Sequence, residues 1–155
     1  MIAVLAVVAA LLVQFVLVNR LPLPAGATPD LVLLAVVGAA LARGPAVGAA
    51  LGFGAGLLVD LAPPTAHVAG LYAFVLAVVG YLAGRGVGNR VVTVVVCVLI
   101  APLLAMAMSA LLSDPRVTAA TLTQQVPVTV ACTLLVAPLV VWLASRRRAR
   151  ERYPL

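Results

Sequence analysis

Long apolar runs separated by short polar breaks set the pattern of this chain. Residues 1–18 are apolar except for Gln14, enough for a first spanning helix at ~20 residues per span. The run is long for a secretion signal and no positive charge precedes it. Three prolines and a glycine break the chain from Asn19 to Pro29. Asp30 opens a second run that ends at Ala42, and Arg43-Gly44-Pro45 punctuates it. Thr28 and Asp30 are both placed to cap this helix, since either side chain accepts from free N–H groups of a first turn.

A third run covers Ala46 to Leu61, a loop Ala62 to His67, and a fourth run Val68 to Ala83. A basic loop from Gly84 to Arg90 leads to the clearest span, Val91 to Leu112, which contains Pro102. A turn at Ser113–Arg116 and a more polar stretch, Val117 to Gln125, come next. The last span is Val126 to Ala144, with Trp142 as an interfacial anchor. The pattern predicts an all-α integral membrane protein, a bundle of about six transmembrane helices over residues 1–145, with a basic cytoplasmic tail over 146–155. The second and third helices are short. They fit a helical hairpin, two tilted spans in a thin membrane, or a re-entrant pair that leaves five spans.

Composition moves the picture in the same direction. The 155-residue chain is 65% hydrophobic and 9% charged, with mean hydropathy +1.26. A water-soluble domain of this size needs a far larger polar surface. The net charge of +6 does not point to nucleic acid. All ten basic residues are arginines, and five of them, Arg146, Arg147, Arg148, Arg150 and Arg152, lie in the last ten positions. That is a juxtamembrane cluster suited to holding the C-terminus inside and to touching anionic lipid. With six spans and both termini cytoplasmic, Arg43, Arg85, Arg90 and the tail arginines fall inside. Arg20, Arg116, Asp30, Asp60 and Asp114 fall outside. The expected location is a bacterial inner membrane. Cys97 and Cys132 sit within apolar runs and read as small buried hydrophobes.

Glycines recur at Gly44, Gly48, Gly52 and Gly56, and the next step of four lands on Asp60. Residues four apart stack on one helical face. The row therefore predicts a smooth groove on the third helix, where small residues let two backbones approach closely. It suits either a helix of the same chain, a helix of another protein, or a backbone-lined ligand pocket. Asp60 belongs at the interface or in a pair, because a lone carboxylate in hydrocarbon is costly. It is placed to cap the following Pro-Pro turn, or to meet a partner, Arg20 or Arg116. One Asp and His67 make neither a metal site nor a catalytic pair. The outer acids stand on separate loops, so the expectation is a protein without catalysis, cofactor or metal.

These residues form a longer pattern. It runs P-D-L-V-L-L at Pro29–Leu34, then G-x-x-x-G-F-x-x-G-L-x-x-D-L through Gly48, Gly52, Phe53, Gly56, Leu57, Asp60 and Leu61, then Gly70 and Tyr81. It resembles the rod shape-determining protein MreD family over about a third of the chain; elsewhere the likeness is one of length and hydropathy. In the loop after Asp60 the family has small residues and glycine, where this chain has Pro63-Pro64-Thr65-Ala66-His67. The resemblance implies a non-enzymatic part in bacterial cell-wall elongation. It implies as partners an MreC-like single-span protein, the MreB cytoskeleton and the polymerase/transpeptidase machinery. It implies a helical arrangement similar to the substrate-binding subunits of energy-coupling-factor vitamin transporters. It makes Pro29, Asp30, Gly48, Gly52, Phe53, Gly56, Asp60 and Gly70 candidates for helix packing or partner docking. The competing expectation is a vitamin-type transporter subunit, which needs polar groups converging on an outward cavity. Asn19, Arg20, Asp30, Asp60, His67 and Asp114 are the groups available.

Overall fold

A computed structural model of the protein describes residues 2–16, 28–61, 70–112 and 126–152, with the backbone alone at 2, 140, 141 and 143–152. The described residues contain no strand. They form α1 (Ile2–Val16), α2 (Leu31–Arg43), α3 (Pro45–Leu61), α4 (Leu71–Arg85), α5 (Arg90–Leu111) and α6 (Val126–Arg152). The loop Ala62–His67, the stretch Val117–Gln125, and Asn19, Arg20, Asp114 and Arg116 lie outside the described residues.

Local chemistry sets the helix ends. Of the two candidate caps, Asp30 is the one used for α2: its Oδ1 accepts from the Leu33 N–H at 2.8 Å. Gly44 closes α2 with φ +95°, a conformation that favours glycine. Its N–H donates to the Ala40 carbonyl and its own carbonyl accepts from the Gly48 N–H. Pro45 takes the first position of α3, where a missing N–H costs nothing. One residue therefore ends one helix and starts the next in reverse. Gly44 is thus not part of the α3 helical row, which begins at Gly48. Asn89 caps α5 by accepting from the Val92 N–H at 2.8 Å.

Three boundaries differ from the sequence expectation. The helix expected over Val68–Ala83 is Leu71–Arg85, so Gly84 and Arg85 are helical. The basic loop shortens to Gly86–Asn89. The last helix does not stop at Ala144: its backbone continues to Arg152, so residues 146–152 prolong α6. The reason is composition, since Ala, Arg and Glu are strong helix formers and no glycine or proline intervenes.

The shortest helix is the hub. α2 packs against every other helix, and Val32, Leu33, Leu34, Val36, Val37 and Ala40 are buried on it. Val75, Leu76 and Val79 of α4 and Val94, Cys97 and Val98 of α5 join the same core. Apolar side chains also cover the exterior. Leu12 of α1, Leu58 of α3 and Leu103 of α5 are more than half exposed, and Leu135 of α6 is 82% exposed. One helix among the described residues, Arg90–Leu111, is by itself long and apolar enough to cross a membrane.

Candidate functional site

The α3–α4 pair is the closest contact in the bundle, and glycine makes it possible. A Cβ placed on Gly48 would collide with the Gly80 carbonyl and come within 2.5 Å of the Ala40 Cβ. One on Gly52 would run into the Leu76 carbonyl group. One on Gly56 would stand 2.5 Å from the Ala73 Cα and the Tyr72 carbonyl oxygen. From the other side, Gly80 meets the Gly48 backbone, and Gly84 meets Gly44 and Pro45 at 2.5 Å. These pairs share one antiparallel register along the whole seam. The glycine row is therefore occupied by a helix of the same chain and is not an open groove for another protein's helix. Phe53 is not on that face; it is 53% exposed on the outer side of α3.

Asp60 ends the row and is buried. The Pro-Pro turn after it lies outside the described residues. Among the described residues Asp60 caps the next helix across the seam: the N–H groups of Gly70 (3.0 Å) and Ala73 (3.1 Å) donate to Oδ2, and that of Tyr72 (3.3 Å) donates to Oδ1. These N–H groups belong to the entry and first turn of α4, where the helix dipole also favours an anion. Gly70 offers no side-chain cap of its own and holds φ +94°. Asp60 supplies from α3 what the α4 entry lacks, and that role suits a carboxylate with little water around it.

Asp30 stands at the same end. Besides capping α2, it receives the Tyr72 hydroxyl at Oδ2 (3.5 Å), and its N–H donates to Thr133 Oγ1 of α6 (3.0 Å). Thr133 in turn donates to the Thr129 carbonyl at 2.7 Å. Gln14 of α1 accepts from the Leu31 N–H at 2.9 Å. Five helices thus meet through one polar cluster, and Tyr72 bridges its two carboxylates: the backbone to Asp60 and the ring to Asp30. Beside the cluster is a cavity of about 60 Å³, bordered by Asp30, Tyr72, Pro102, Thr129 and Thr133. That is room for a few water molecules. No three His, Cys, Asp or Glu side chains converge among the described residues.

The described arginines gather at the opposite end. Arg43 ends α2, Arg85 ends α4 and donates to the Tyr81 hydroxyl at 3.4 Å, and Arg90 opens α5. Of the residues singled out in the sequence, the structure brings Gly48, Gly52, Gly56, Asp60 and Gly70 into the seam and its cap, and ties Asp30 to them through Tyr72. Pro29 precedes the Asp30 cap. Side chains of Arg146, Arg147, Arg148, Arg150 and Arg152 lie outside the description. Sequence reading missed Gly80, Gly84, Tyr72, Gln14 and Thr133. The spacing of Gly80 and Gly84, again four residues, was the available signal for the first two.

No family model, no curated protein and no solved structure matches this chain.

Proposed function

We propose that the protein is a multi-pass membrane protein of the bacterial inner membrane that serves as a non-enzymatic scaffold. In this reading it acts in cell-wall elongation in the manner of the MreD family, beside an MreC-like single-span protein and the polymerase/transpeptidase machinery. The observation that carries the membrane part is the inverted exterior: large apolar side chains stand exposed on α1, α3, α4, α5 and α6, a surface suited to lipid and not to water. The separation of Asp30 and Asp60 from Arg43, Arg85 and Arg90 at opposite ends of the bundle supports the same reading.

The scaffold part is supported by what the resemblance-bearing residues do. Asp30, Gly48, Gly52, Gly56, Asp60 and Gly70 belong to one connected architectural unit: a seam, its cap and a polar tie between helices. A partner helix in this reading meets the outward face of α3, where Phe53 and Leu57 are exposed and a side chain at Gly54 would meet nothing within 4 Å. The vitamin-carrier alternative is less well supported. The cavity beside Asp30 holds about 60 Å³, against roughly 300–1,000 Å³ for sites that enclose small organic ligands; a cavity of about 410 Å³ between α5 and α6 reaches that size, but its lining, from Val91 and Val94 to Pro138 and Trp142, holds no charged side chain to orient a polar vitamin.

Co-purification from native membranes in mild detergent tests the reading, comparing wild type with Gly54→Leu. Recovery of an MreC-like protein with wild type, and its loss with a variant that still accumulates, is the expected result. Recovery of a transporter ATPase module or a tightly held small molecule in place of wall-synthesis proteins would replace the scaffold with the carrier.

A further inference from the structure

Toward the arginine end, α5 and α6 leave a cavity of about 410 Å³ between them. Val94 and Ala137 form its floor and are 1% and 5% exposed. Val91 and Trp142 form its rim and are 57% and 47% exposed. Leu134 and Pro138 complete the α6 wall. A proline inside a helix lacks the N–H that would bond the carbonyl four residues back, and its ring presses on that carbonyl. For Pro138 that carbonyl belongs to Leu134, so the turn of α6 that lines the cavity cannot close in the regular way. Apart from the Trp142 indole N–H, every lining side chain is apolar.

Positive charge gathers where the cavity opens. Arg90 is the first residue of α5, directly before Val91 on the rim. The described carboxylates Asp30 and Asp60 are hydrogen-bonded at the other end of the bundle, so neither neutralises it. On the opposite wall the α6 backbone continues as a helix past Trp142 to Arg152. At 3.6 residues per turn, Arg148 comes about three turns after Ala137, and Arg152 about five turns after Leu134. Both arginines therefore hold register positions on the helix face that lines the cavity. Glu151, the one acid of the tail, is about 100° around the helix from Arg152.

We propose that this cavity binds one anionic phospholipid, with an acyl chain between α5 and α6 and the headgroup phosphate at Arg90. The inference rests on the membrane reading above. An apolar floor with no polar anchor suits a hydrocarbon chain and offers nothing to a polar metabolite. Hydrocarbon is equally at home in the surrounding lipid, so the chain gains only close packing in the cavity. Selection among lipids then falls to charge at the rim, and a basic pocket between spanning helices on the cytoplasmic side is a recurring form of anionic-lipid site. An apolar helix of another protein could fill the same space, but it would bring Arg90 no anion. An anionic lipid supplies both the chain and the charge.

Trp142 is the chain's single tryptophan and stands on the rim, so its fluorescence reports the occupant directly. The full chain is reconstituted in vesicles of one fixed mixture of phosphatidylcholine and phosphatidylglycerol. Brominated acyl chains, which quench tryptophan on contact, are carried by the phosphatidylglycerol in one set and by the phosphatidylcholine in the other. The expected result is stronger quenching by the brominated phosphatidylglycerol, equivalent to a preference of about fivefold from one arginine near an anion. Arg90→Gln and Ala137→Leu, which raises the floor, should each reduce that preference severalfold, with helix content by circular dichroism as the control. Val91→Phe, on the exposed rim, repeats the steric test without touching the core. Equal quenching by the two lipids in wild type overturns the site. A preference that survives Arg90→Gln removes the headgroup contact, and one that survives both steric variants puts the lipid outside the cavity; either overturns the site too. Weak quenching by both lipids in a chain that floats with the vesicles means that protein covers the cavity, which overturns the lipid and leaves the membrane reading standing. A chain that does not float with the vesicles overturns both.

Discussion

Two glycines two residues apart on α3 face opposite environments, and alanine at each makes a controlled comparison. At Gly52 the new methyl would strike the Leu76 carbonyl group and approach the Ala77 nitrogen at 3.0 Å. These are backbone atoms, so no rotamer change relieves the clash. α3 and α4 must separate, and separation loosens the Gly48–Gly80 and Gly56–Ala73 contacts in the same seam. Overpacking of this kind costs about 1–3 kcal/mol, and a rigid backbone neighbour puts Gly52 at the upper end. Replacing a mid-helix glycine by alanine returns about 1 kcal/mol of helix propensity. The net loss for Gly52→Ala is therefore about 2 kcal/mol.

Gly54→Ala carries the propensity gain alone, because its methyl meets nothing within 4 Å. It stabilises by up to ~1 kcal/mol. The two variants differ by one methyl at the same composition and should part by about 3 kcal/mol. Reversible unfolding of the purified chain in mild detergent, titrated with a denaturing detergent, reads the difference. If the two variants unfold within ~0.5 kcal/mol of each other, the close approach of α3 and α4 is refuted and the register built on it fails.

The polar cluster gives two more predictions. Asp60→Ala strips three N–H donors at the α4 entry and should destabilise by about 2–4 kcal/mol, with Asp60→Asn losing less because one acceptor oxygen remains; hydrogen exchange at Gly70, Tyr72 and Ala73 should accelerate in the alanine variant first. Asp30→Ala removes the acceptor of the Leu33 N–H and of the Tyr72 hydroxyl and should destabilise by about 1–3 kcal/mol; Asp30→Asn keeps the cap and should lose less in the same detergent titration, and equal losses for the two variants would refute the capping role.

Much of this architecture was legible, and the gaps have physical causes. The apolar runs marked all six helices, and the spacing of Gly48, Gly52, Gly56 and Asp60 marked a close-packed face. The other half of the seam carries the same signal in Gly80 and Gly84, but the apolar run ends at Ala83, and the glycines and arginines from Gly84 to Arg90 look like a loop. The receptor of Asp60 left no trace in residue types, because its donors are backbone N–H groups. The central place of α2 was hidden by its length, since a 13-residue helix suggested a marginal element. Its apolar character on every side, LVLLAVVGAALA, was the better signal, because a helix without a polar face is a buried one. The Asp30–Tyr72 and Asp30–Thr133 contacts span too much sequence for any local pattern to show.

The charge pattern has a second meaning once the helices are in place. Gly44 reverses the chain between α2 and α3, and the seam makes α4 antiparallel to α3. The starts of α2 and α4 and the end of α3 therefore share one level. At that level sit Asp30 and Asp60, each accepting from the first N–H groups of a helix. At the other level Arg43 and Arg85 occupy the last turns of α2 and α4. Carboxylates thus answer the N-termini of α2 and α4 and arginines their C-termini, which stabilises these two helices whatever surrounds the bundle. In the proposed membrane setting the same arrangement biases the arginine end toward the cytoplasm. Topology and fold then draw on one set of charges. Moving Asp60 elsewhere on the same end would preserve the charge count and the orientation bias, yet it would leave the α4 entry uncapped. Position at the level of single residues, more than net charge per loop, is what the fold requires.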